Sequence, residues 1–568
     1  MALKVLSALD AAKTQYYHFK AIIIAGMGLF TDSYDLFCIP PIMRMIGRIY
    51  YSKVYRNEDE KDWFEVDKHG NDTHWFNIPK SIASAMIGVA LMGTVVGQLV
   101  FGRLGDRVGR RRVYGVSLLM MVVGSLGCGF SLSRLTSMVF VSLGFFRFLL
   151  GIGIGGDYPL SATIMSEFAN KKTRGAFIAG VFSMQGFGIL LSSVITMAVC
   201  SIFKVFADKL TTPLQLPLWA NTASVPPESD VAWRLILMFG AIPAAMTYYW
   251  RMKMPETARF TALVEKNTLQ AAKDMEKVLN VSLSSIREDV EMFSTPSSIY
   301  ENVRMMSTPD TRAALSNTYP FFSREFLRRH GRDLIAASTN WFLIDLVFYP
   351  LNLFQYHAFK GKMIHKSHMN IYDDAWQVAK FQALVAISST IPGYFVTVYM
   401  IDYVGRVKIQ AAGFLFMAVS LFTIAKINTG GWGSDPGIGF IILYGLTFFF
   451  CNFGPNTTTF IVPAELFPAR FRATCHGISG AVGKVGAIIG SIGFIWTSRN
   501  SRDGVSDTLK AMGGVCVLGF FVTYFFTRET KGRSLEKNEN VDEFTGVWFV
   551  RFWPHKLWDR ETAPTPGN

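Results

Sequence analysis

Charged residues, cysteines and metal-binding motifs are scarce in this chain. Asp, Glu, Lys and Arg make up only 17% of its 568 residues, whereas hydrophobic residues make up 50%. Five of the six cysteines lie in apolar segments and Cys475 stands where such a segment begins, so the sequence indicates no disulfide framework. No His-Glu-x-x-His motif occurs, and the pair His365 and His368 has no third obvious ligand. We therefore predict no metal site, no cofactor and no enzymatic chemistry.

We expect no cleavable leader, because the given sequence is polar through Lys20 and its start shows no basic-then-apolar stretch ending in small residues. We expect the first apolar segment to act as its own insertion signal. The mean hydropathy of +0.27 fits an integral membrane protein better than a soluble multidomain chain. The lipid bilayer is thus a predicted partner.

Twelve apolar runs of roughly membrane-spanning length follow one another along the chain. The sequence therefore predicts an all-α membrane protein with twelve transmembrane helices. The runs lie near 21–46, 82–102, 113–132, 137–158, 175–203, 232–252, 334–357, 376–400, 408–427, 437–462, 474–497 and 509–527.

The net charge of +14 is concentrated in the short connections between apolar runs. The stretch RLGDRVGRRR at 103–112 holds five arginines, and KKTR occupies 171–174. The positive-inside rule places such loops in the cytoplasm, so both termini are predicted to be cytoplasmic. We accordingly interpret the basic charge as a topology signal and predict no nucleic-acid partner. The sequence leaves a homo-oligomer open.

Composition divides the chain into four parts. Residues 1–252 form a first six-helix bundle, 253–333 a polar cytoplasmic linker, 334–527 a second bundle and 528–568 a cytoplasmic tail. The loop at 47–80 falls outside on this topology, and Asn71 in it starts a glycosylation sequon.

An internal repeat relates the two bundles. The pattern Asp-x-x-Gly-Arg at 106–110 recurs at 402–406, an offset of 296, and the Glu-x6-Arg pattern that starts at Glu167 recurs at Glu465, an offset of 298. Two matches at nearly one offset indicate two homologous halves, with a substrate site between them near mid-membrane. The loop charges of the repeat are predicted to hold an inner gate: Asp106, Arg107, Glu167, Arg174, Glu465 and Arg472.

The segment at 147–175, RFLLGIGIGGDYPLSATIMSEFANKKTRG, places a carboxylate inside an apolar run. A charge at the bilayer centre costs about 2.5–3.5 kcal/mol on insertion scales, so Asp157 is a candidate functional residue and Arg147 a candidate partner for it. The glycines at 151, 153 and 156 also fit the dinucleotide-binding spacing, but that motif requires a preceding strand. Close approach of neighbouring helices explains these glycines better.

Ionisable residues inside the apolar runs form a short set, each expected to face a cavity or a partner. Trp341, Asp345 and Tyr349 are spaced by four and so share one helical stripe. The Asp345 carboxyl group can bind an oxyanion only when it is protonated, because two neighbouring anions repel each other. The alternative is an interfacial Trp and Tyr beside a structural Asp. The set is Asp32, Asp35, Arg147, Asp157, Asp345 and Lys484.

Two further polar residues are candidates. Gln185 in the fifth run has a functional interpretation and a purely structural one, as a hydrogen-bonding link between helices. Adding the offset of 298 to Tyr158 gives Asn456, so the repeat predicts that these two residues face each other across the central cavity.

The run GGDYPLSATIMSE followed by ANKKTRG resembles the signature of the plant and fungal phosphate/proton symporters, a branch of the major facilitator superfamily. Phe168 stands where that signature leads us to expect Tyr. The loop GRLGDRVGRR resembles the cytoplasmic motif of the superfamily, and PETARF at 255–260 and RETKGRSLE at 528–536 resemble sugar-porter signatures. The resemblance thus extends over nearly the whole chain.

The resemblance implies proton-coupled import of inorganic phosphate across the plasma membrane by alternating access of the two halves. It implies proton movement through Asp35 and Asp157, with Asp345 acting in both roles and Asp32 and Arg147 as further candidates. Pro350 stands where the resemblance leads us to expect a small polar residue, so we expect the bend of that helix to differ. The implied phosphate site consists of Tyr158, Gln185, Trp341, Asp345, Tyr349, Asn456 and Lys484.

Two alternative functions are consistent with these sequence features. A porter for sugars or other anions would have the same fold and loop motifs. A phosphate receptor that hardly transports would use the long linker and tail for signalling.

Overall fold

The computed structural model describes residues 16–51, 78–133, 135–211, 226–254, 256–265, 267, 270, 273, 319–353, 355, 370–427, 437–497 and 502–535. Within these ranges the chain is helical and contains no β-strand. The sequon at Asn71, most of the linker and most of the tail lie outside the described residues. The predicted domain boundaries remain predictions.

The described residues of the first half form nine helices. They are α1 Tyr16–Phe37, α2 Ile39–Tyr51, α3 Lys80–Val108, α4 Arg110–Gly129, α5 Thr136–Phe168, α6 Arg174–Thr211, α7 Ser229–Met238, α8 Ala241–Lys253 and the short α9 Ala258–Leu263.

The second half repeats this order after the linker. Its helices are α10 Arg324–Leu353, α11 Ile371–Val385, α12 Ile391–Val404, α13 Arg406–Lys426, α14 Gly437–Asn452, α15 Pro455–Leu466, α16 Arg472–Thr497 and α17 Arg502–Phe526, with a π-helical turn Ala386–Thr390 joining α11 to α12.

Eleven stretches of the described chain are long and apolar enough to cross a membrane. The twelfth predicted span is the pair α14 and α15, which together cover 437–466 with a break at 453–454. Pro455 begins α15 and has no N–H to continue the preceding helix, which explains the break. The architecture is therefore the predicted one of twelve spans in two related bundles.

Several spans extend beyond their predicted ends. The fourth was expected to stop near residue 158, but α5 continues to Phe168. Pro159 lies inside this helix, and the charged Glu167 near its end is buried rather than solvated. Polar residues that find partners in the protein do not end a helix, and hydropathy alone could not show this.

The internal repeat is visible in the backbone. Gly109 and Gly405 occupy matching places between two spans of each half, with φ angles of 107° and 104°. A side chain at such a positive φ is strained, so both turns require glycine. This agreement supports the predicted homology of the halves.

Small residues allow the long helices to pack closely. A Cβ atom added at Gly151 on α5 would lie 2.1 Å from the carbonyl oxygen of Ala90 on α3, and one at Gly155 would lie 2.3 Å from that of Thr94. The halves meet in the same way, because a Cβ at Gly477 on α16 would lie 2.3 Å from the Gln98 oxygen. Gly151 thus serves helix packing, as predicted, and Gly155 and Gly477, which the sequence analysis did not select, have the same role.

Gly151→Ala should destabilise the folded chain by about 1–3 kcal/mol, since the added methyl group forces α3 and α5 apart. Gly144→Ala on the same helix is the matched control, because nothing lies within 4 Å of a Cβ at that position. Melting temperatures of the two purified variants in one detergent provide the measurement. Equal melting temperatures would show that α5 tolerates the extra volume.

Candidate functional site

The predicted stripe on α10 is buried at the interface between the halves. Trp341, Asp345 and Tyr349 are each at most 2% exposed. Lys484 on α16 donates from Nζ to Asp345 Oδ2 at 2.7 Å, and both side chains of this pair are 2% exposed. The centre of the protein thus holds a desolvated ion pair, in which each charge depends on the other.

Aromatic rings from both halves surround the lysine. Its Nζ lies 4.9 Å from the ring centre of Tyr158, from the first half, and 4.7 Å from that of Tyr349, from the second. The Tyr158 ring lies 6.5 Å from that of Trp341. Ring faces attract a cation at these distances, so the rings stabilise the ammonium group beside the carboxylate.

A second polar cluster lies beside this pair. The hydroxyl of Tyr394 on α12 donates to Gln185 Oε1 at 2.6 Å, and Asn456 Nδ2 donates to the Tyr394 hydroxyl at 2.9 Å. Phe460 separates the two clusters and contacts both, with its ring 6.2 Å from Tyr158 and 4.6 Å from Phe182, which packs on Tyr394.

All seven residues predicted for the phosphate site therefore converge at the interface between the halves. Of the pair that the repeat relates, Tyr158 contacts Phe460 and the lysine, whereas Asn456 belongs to the hydrogen-bonded cluster with Tyr394. Sequence analysis missed Tyr394, because a tyrosine in an apolar span has no feature that separates it from ordinary packing residues.

Asp157 pairs with Arg251 rather than with the suggested Arg147. Arg251 on α8 donates from Nη1 to Asp157 Oδ1 at 2.7 Å, and its guanidinium carbon lies 3.8 Å from the ring centre of Tyr114. Arg147 is ten residues from Asp157 on the same helix, which is about 15 Å. Arg251 lies at the end of the predicted run 232–252, and the sequence analysis did not select it as a candidate.

The other three residues predicted for proton movement are also buried, namely Asp35, Arg147 and Asp32. Asp35 accepts from Ser125 Oγ at 2.9 Å, and Arg147 donates from Nε to the Met86 carbonyl oxygen at 3.1 Å. Both carboxyl oxygens of Asp32 are buried without a hydrogen-bond partner in the described chain. A carboxyl group buried without a partner is costly, which sets Asp32 apart from Asp35 and Asp157.

The predicted gate charges gather at the end of the bundle that carries the basic loops, here called the basic end. Glu167 accepts from Arg472 Nη1 of the other half at 2.9 Å and from Arg110 Nη2 at 3.2 Å. Arg406 donates to Glu465 at 2.8 Å within the second half. Arg110 and Arg406 were not selected from the sequence, although each stands in the repeated motif.

The repeated aspartates cap helices across the interface. Asp106 accepts from the backbone N–H groups of Ala473 and Thr474 at 3.2 and 2.7 Å, at the start of α16. Asp402 accepts from those of Gly175 and Ala176 at 3.2 and 2.8 Å, at the start of α6. A carboxylate stabilises the positive end of a helix, so each half caps a helix of the other.

The two remaining predicted gate residues, Arg174 and Arg107, take no part in the contacts just described, and Glu256 lies close to the same end. Arg174 donates to the Arg533 carbonyl oxygen at 2.9 Å. Arg107 is exposed and forms no ion pair with the described residues. Glu256 of the PETARF stretch accepts from the backbone N–H groups of Arg110 and Arg111, and burial raises the pKa of its carboxyl group.

Ion pairs also close the opposite end, which sequence analysis did not predict. Asp374 of the second half lies 3.0 Å from Arg44 and 3.4 Å from Arg48 of the first, and Lys204 of the first half lies 2.8 Å from Asp373. With both ends closed, the structure is an occluded state whose central residues are shut off from both sides.

Comparisons with known proteins agree with this architecture. Residues 21–541 match the family model described as sugar (and other) transporter. The chain is 56% identical over 554 residues to the probable inorganic phosphate transporter 1-9 of Arabidopsis thaliana, covering 95% of this chain and 96% of that one. It is 47% identical over 562 residues to the low affinity inorganic phosphate transporter 3 of Petunia hybrida, covering 96% and 97%.

Solved structures with a similar fold are more distant in sequence. The proton:xylose symporter XylE bound to 6-bromo-6-deoxy-D-glucose has a TM-score of 0.65 at 17% identity, covering 92% of this chain and 98% of that one. Its inward open conformation has a TM-score of 0.59 at 18% identity, covering 92% and 99%. At these identities the likeness concerns the fold alone.

Asp157→Asn should destabilise the chain by about 3–5 kcal/mol, because it leaves the Arg251 guanidinium buried without its counter-charge. The double variant Asp157→Asn with Arg251→Met should regain most of that loss. A double-mutant cycle of melting temperatures measures the coupling. Additive losses in the two single variants and the double variant would mean that the two side chains do not depend on each other.

Proposed function

The chain belongs to the sugar (and other) transporter family and, within it, to the plant inorganic phosphate transporters, and on that premise we propose that it imports inorganic phosphate together with protons. A member of this family is a transporter and not an enzyme. The observation that carries the proposal for this chain is the buried pair of Lys484 and Asp345 at the contact between the halves.

The pair of Lys484 and Asp345 offers a direct means of coupling phosphate transport to proton transport. Phosphate and the Asp345 carboxylate are both anions, and both would be stabilised by the same Lys484 ammonium group. Protonation of Asp345 removes the competing charge and turns an acceptor into a hydrogen-bond donor. Lys484 is then free to bind the incoming anion, with Tyr158, Trp341 and Tyr349 around it. One proton would accompany each phosphate at this step.

The second cluster provides neutral hydrogen-bonding groups for the same ligand. The Gln185 and Asn456 amides and the Tyr394 hydroxyl bond to one another in the occluded state. These groups can exchange partners at little cost, since each offers both a donor and an acceptor. They suit a ligand such as dihydrogen phosphate, which both donates and accepts hydrogen bonds.

The gates supply alternating access. Opening at the basic end separates Asp106 and Asp402 from the helices that they cap, whereas opening at the opposite end separates Asp374 from Arg44 and Arg48. The contacts at the two ends involve different residues, so one end can open while the other stays closed. The positive-inside rule assigns the basic end to the cytoplasm, so both termini are cytoplasmic in this proposal.

Buried carboxyl groups of the first half would carry the proton. Asp35 lies near the end closed by Arg44, Asp157 lies deeper, and Asp32 is one helical turn from Asp35 on α1. We assign these three residues to the proton path, with Arg147 as a fixed charge beside it. The plasma membrane is the proposed location, since a proton gradient across it drives such uptake.

Uptake by the purified chain in proteoliposomes under an imposed inward proton gradient tests the function. Radiolabelled phosphate should accumulate, and its accumulation should stop when a protonophore collapses the gradient. Equal accumulation of sulfate or hexose would assign the chain to another substrate. Phosphate binding without flux would instead indicate a receptor.

Asp345→Asn should abolish uptake driven by a proton gradient and preserve exchange of labelled for unlabelled phosphate. The amide can donate to phosphate and leaves Lys484 free, but it cannot exchange a proton. Both assays are made in the same proteoliposomes, with the exposed Asp507→Asn as the matched control. Gradient-driven uptake at the wild-type rate would remove Asp345 from the coupling step.

Lys484→Gln should weaken phosphate binding at least about tenfold, because a hydrogen bond to a charged group contributes roughly 1.5–3 kcal/mol. Titration calorimetry with inorganic phosphate measures the dissociation constant. Lys510→Gln, which removes an exposed lysine of α17, serves as the control for net charge. An unchanged dissociation constant would restrict Lys484 to a structural pairing with Asp345.

A further inference from the structure

The first span is broken at residue 38. Helix α1 ends at Phe37 and α2 begins at Ile39, with Pro40 and Pro41 in its first turn. A carbonyl group in a helix accepts from the N–H group four residues further on, and proline has no N–H group. The Phe37 carbonyl group therefore has no helical donor at Pro41. Because Phe37 is only 1% exposed, this carbonyl group needs a donor from elsewhere in the protein.

The second half supplies that donor. Gln382 on α11 donates from Nε2 to the Phe37 carbonyl oxygen at 2.8 Å, and more weakly to Ser192 Oγ on α6 at 3.4 Å. Gln382 is 3% exposed, so this hydrogen bond between the halves is shielded from water. A buried carbonyl group without a donor is costly, so the bond stabilises the contact between the halves.

The Phe37 side chain packs against the central site. Its ring stacks on that of Tyr349, with 6.1 Å between the ring centres and 21° between the ring planes, and it meets the Phe348 ring edge-on at 6.0 Å. The ring centre of Tyr349 in turn lies 4.7 Å from Lys484 Nζ. Phe37 belongs to the first half and the other three residues to the second. The stack therefore joins the halves directly beside the central ion pair.

Helix α11 makes both contacts with the first span. Asp374 and Gln382 are eight residues apart on it, which is about 12 Å along the axis. Asp374 pairs with Arg44 of α2, whose side chain is 19% exposed, whereas Gln382 bonds to the end of α1. The ion pair thus lies near the surface, and the amide bond and the Phe37 ring lie deeper, next to the central site.

Helix α2 is anchored to its own half at its far end. The Tyr50 hydroxyl donates to Asp230 Oδ1 on α7 at 2.5 Å, and both residues belong to the first half. Parting of the halves therefore separates α1 and α2 together from α11. The contacts of Phe37 and Gln382 break in that movement.

We propose that Phe37 and Gln382 form an inner seal, which closes the central site beneath the ion pairs of Asp374. The Phe37 ring covers Tyr349, and the Gln382 amide holds this ring in place through the carbonyl group that Pro41 leaves without a donor. The seal opens when water replaces the amide at that carbonyl group. This inference rests on the proposed alternating access of the two halves.

Distances between two spin labels on the full-length chain test the inner seal. The labels are attached through Met138→Cys at the start of α5 and Asp507→Cys near the start of α17, which are exposed positions in different halves at the end closed by Asp374. The six native cysteines are buried, so the labels react with the introduced ones. Gln382→Leu should raise the ratio of parted to closed populations about tenfold, because the closed state then buries a carbonyl group without a donor.

Three further variants make the test specific. Phe37→Leu removes the ring stack and should raise the same ratio about threefold. Gln377→Leu, the same substitution at a half-buried glutamine of α11, is the matched control and should leave the ratio unchanged. Pro41→Ala restores an N–H group that can donate to the Phe37 carbonyl group. In that background Gln382→Leu should therefore change the ratio by less than about twofold.

An unchanged ratio in Gln382→Leu, or an equal change in Gln377→Leu, would overturn the inner seal. Equal effects of Gln382→Leu in both backgrounds would show that the amide acts through another partner and would also overturn it. Phe37→Leu decides the case in which Gln382→Leu does not fold, since an unchanged ratio contradicts the seal. These distances are measured without phosphate. The expected changes in a chain that takes up no phosphate would support the seal and refute the proposed import.

Discussion

The ion pair between Lys484 and Asp345 is the interaction on which the centre of this protein depends. Two opposite charges removed from water stabilise each other only at short range and with few competing groups. The pair therefore holds α10 and α16 together, while the rings of Tyr158 and Tyr349 bring both halves around the cation. In the proposed mechanism an entering anion competes with Asp345 for Lys484, and protonation of Asp345 removes this competition.

Buried charges and the free N–H groups at helix starts also need partners at both ends of the bundle. At the basic end, carboxylates of one half satisfy backbone N–H groups at the start of a helix in the other half. At the opposite end, Asp374 forms ion pairs with two arginines across the interface. Each contact is strong while the halves touch and is replaced by water when they part. The closed ends are thus stable but reversible, as a transporter that changes access requires.

Repetition of the chain explains why these contacts come in pairs. The turns at Gly109 and Gly405 have the same backbone conformation, and Asp106 and Asp402 cap equivalent helices. The central site is less symmetric: Tyr158 packs on the lysine pair, whereas its counterpart Asn456 joins a hydrogen-bonded amide cluster. The symmetric contacts lie where the halves meet at the basic end, whereas the central site is built from different side chains in each half.

The sequence by itself determined the twelve spans, the two homologous halves and the small set of buried ionisable residues, because hydropathy, repeat offsets and charge inside an apolar run are local properties. It could not determine partners. Asp157 pairs with Arg251 and not with Arg147, and Tyr394 bonds to Gln185. These contacts join residues that are distant along the chain, as do the ion pairs of Asp374 at the far end. Only the packing of helices decided which charge meets which.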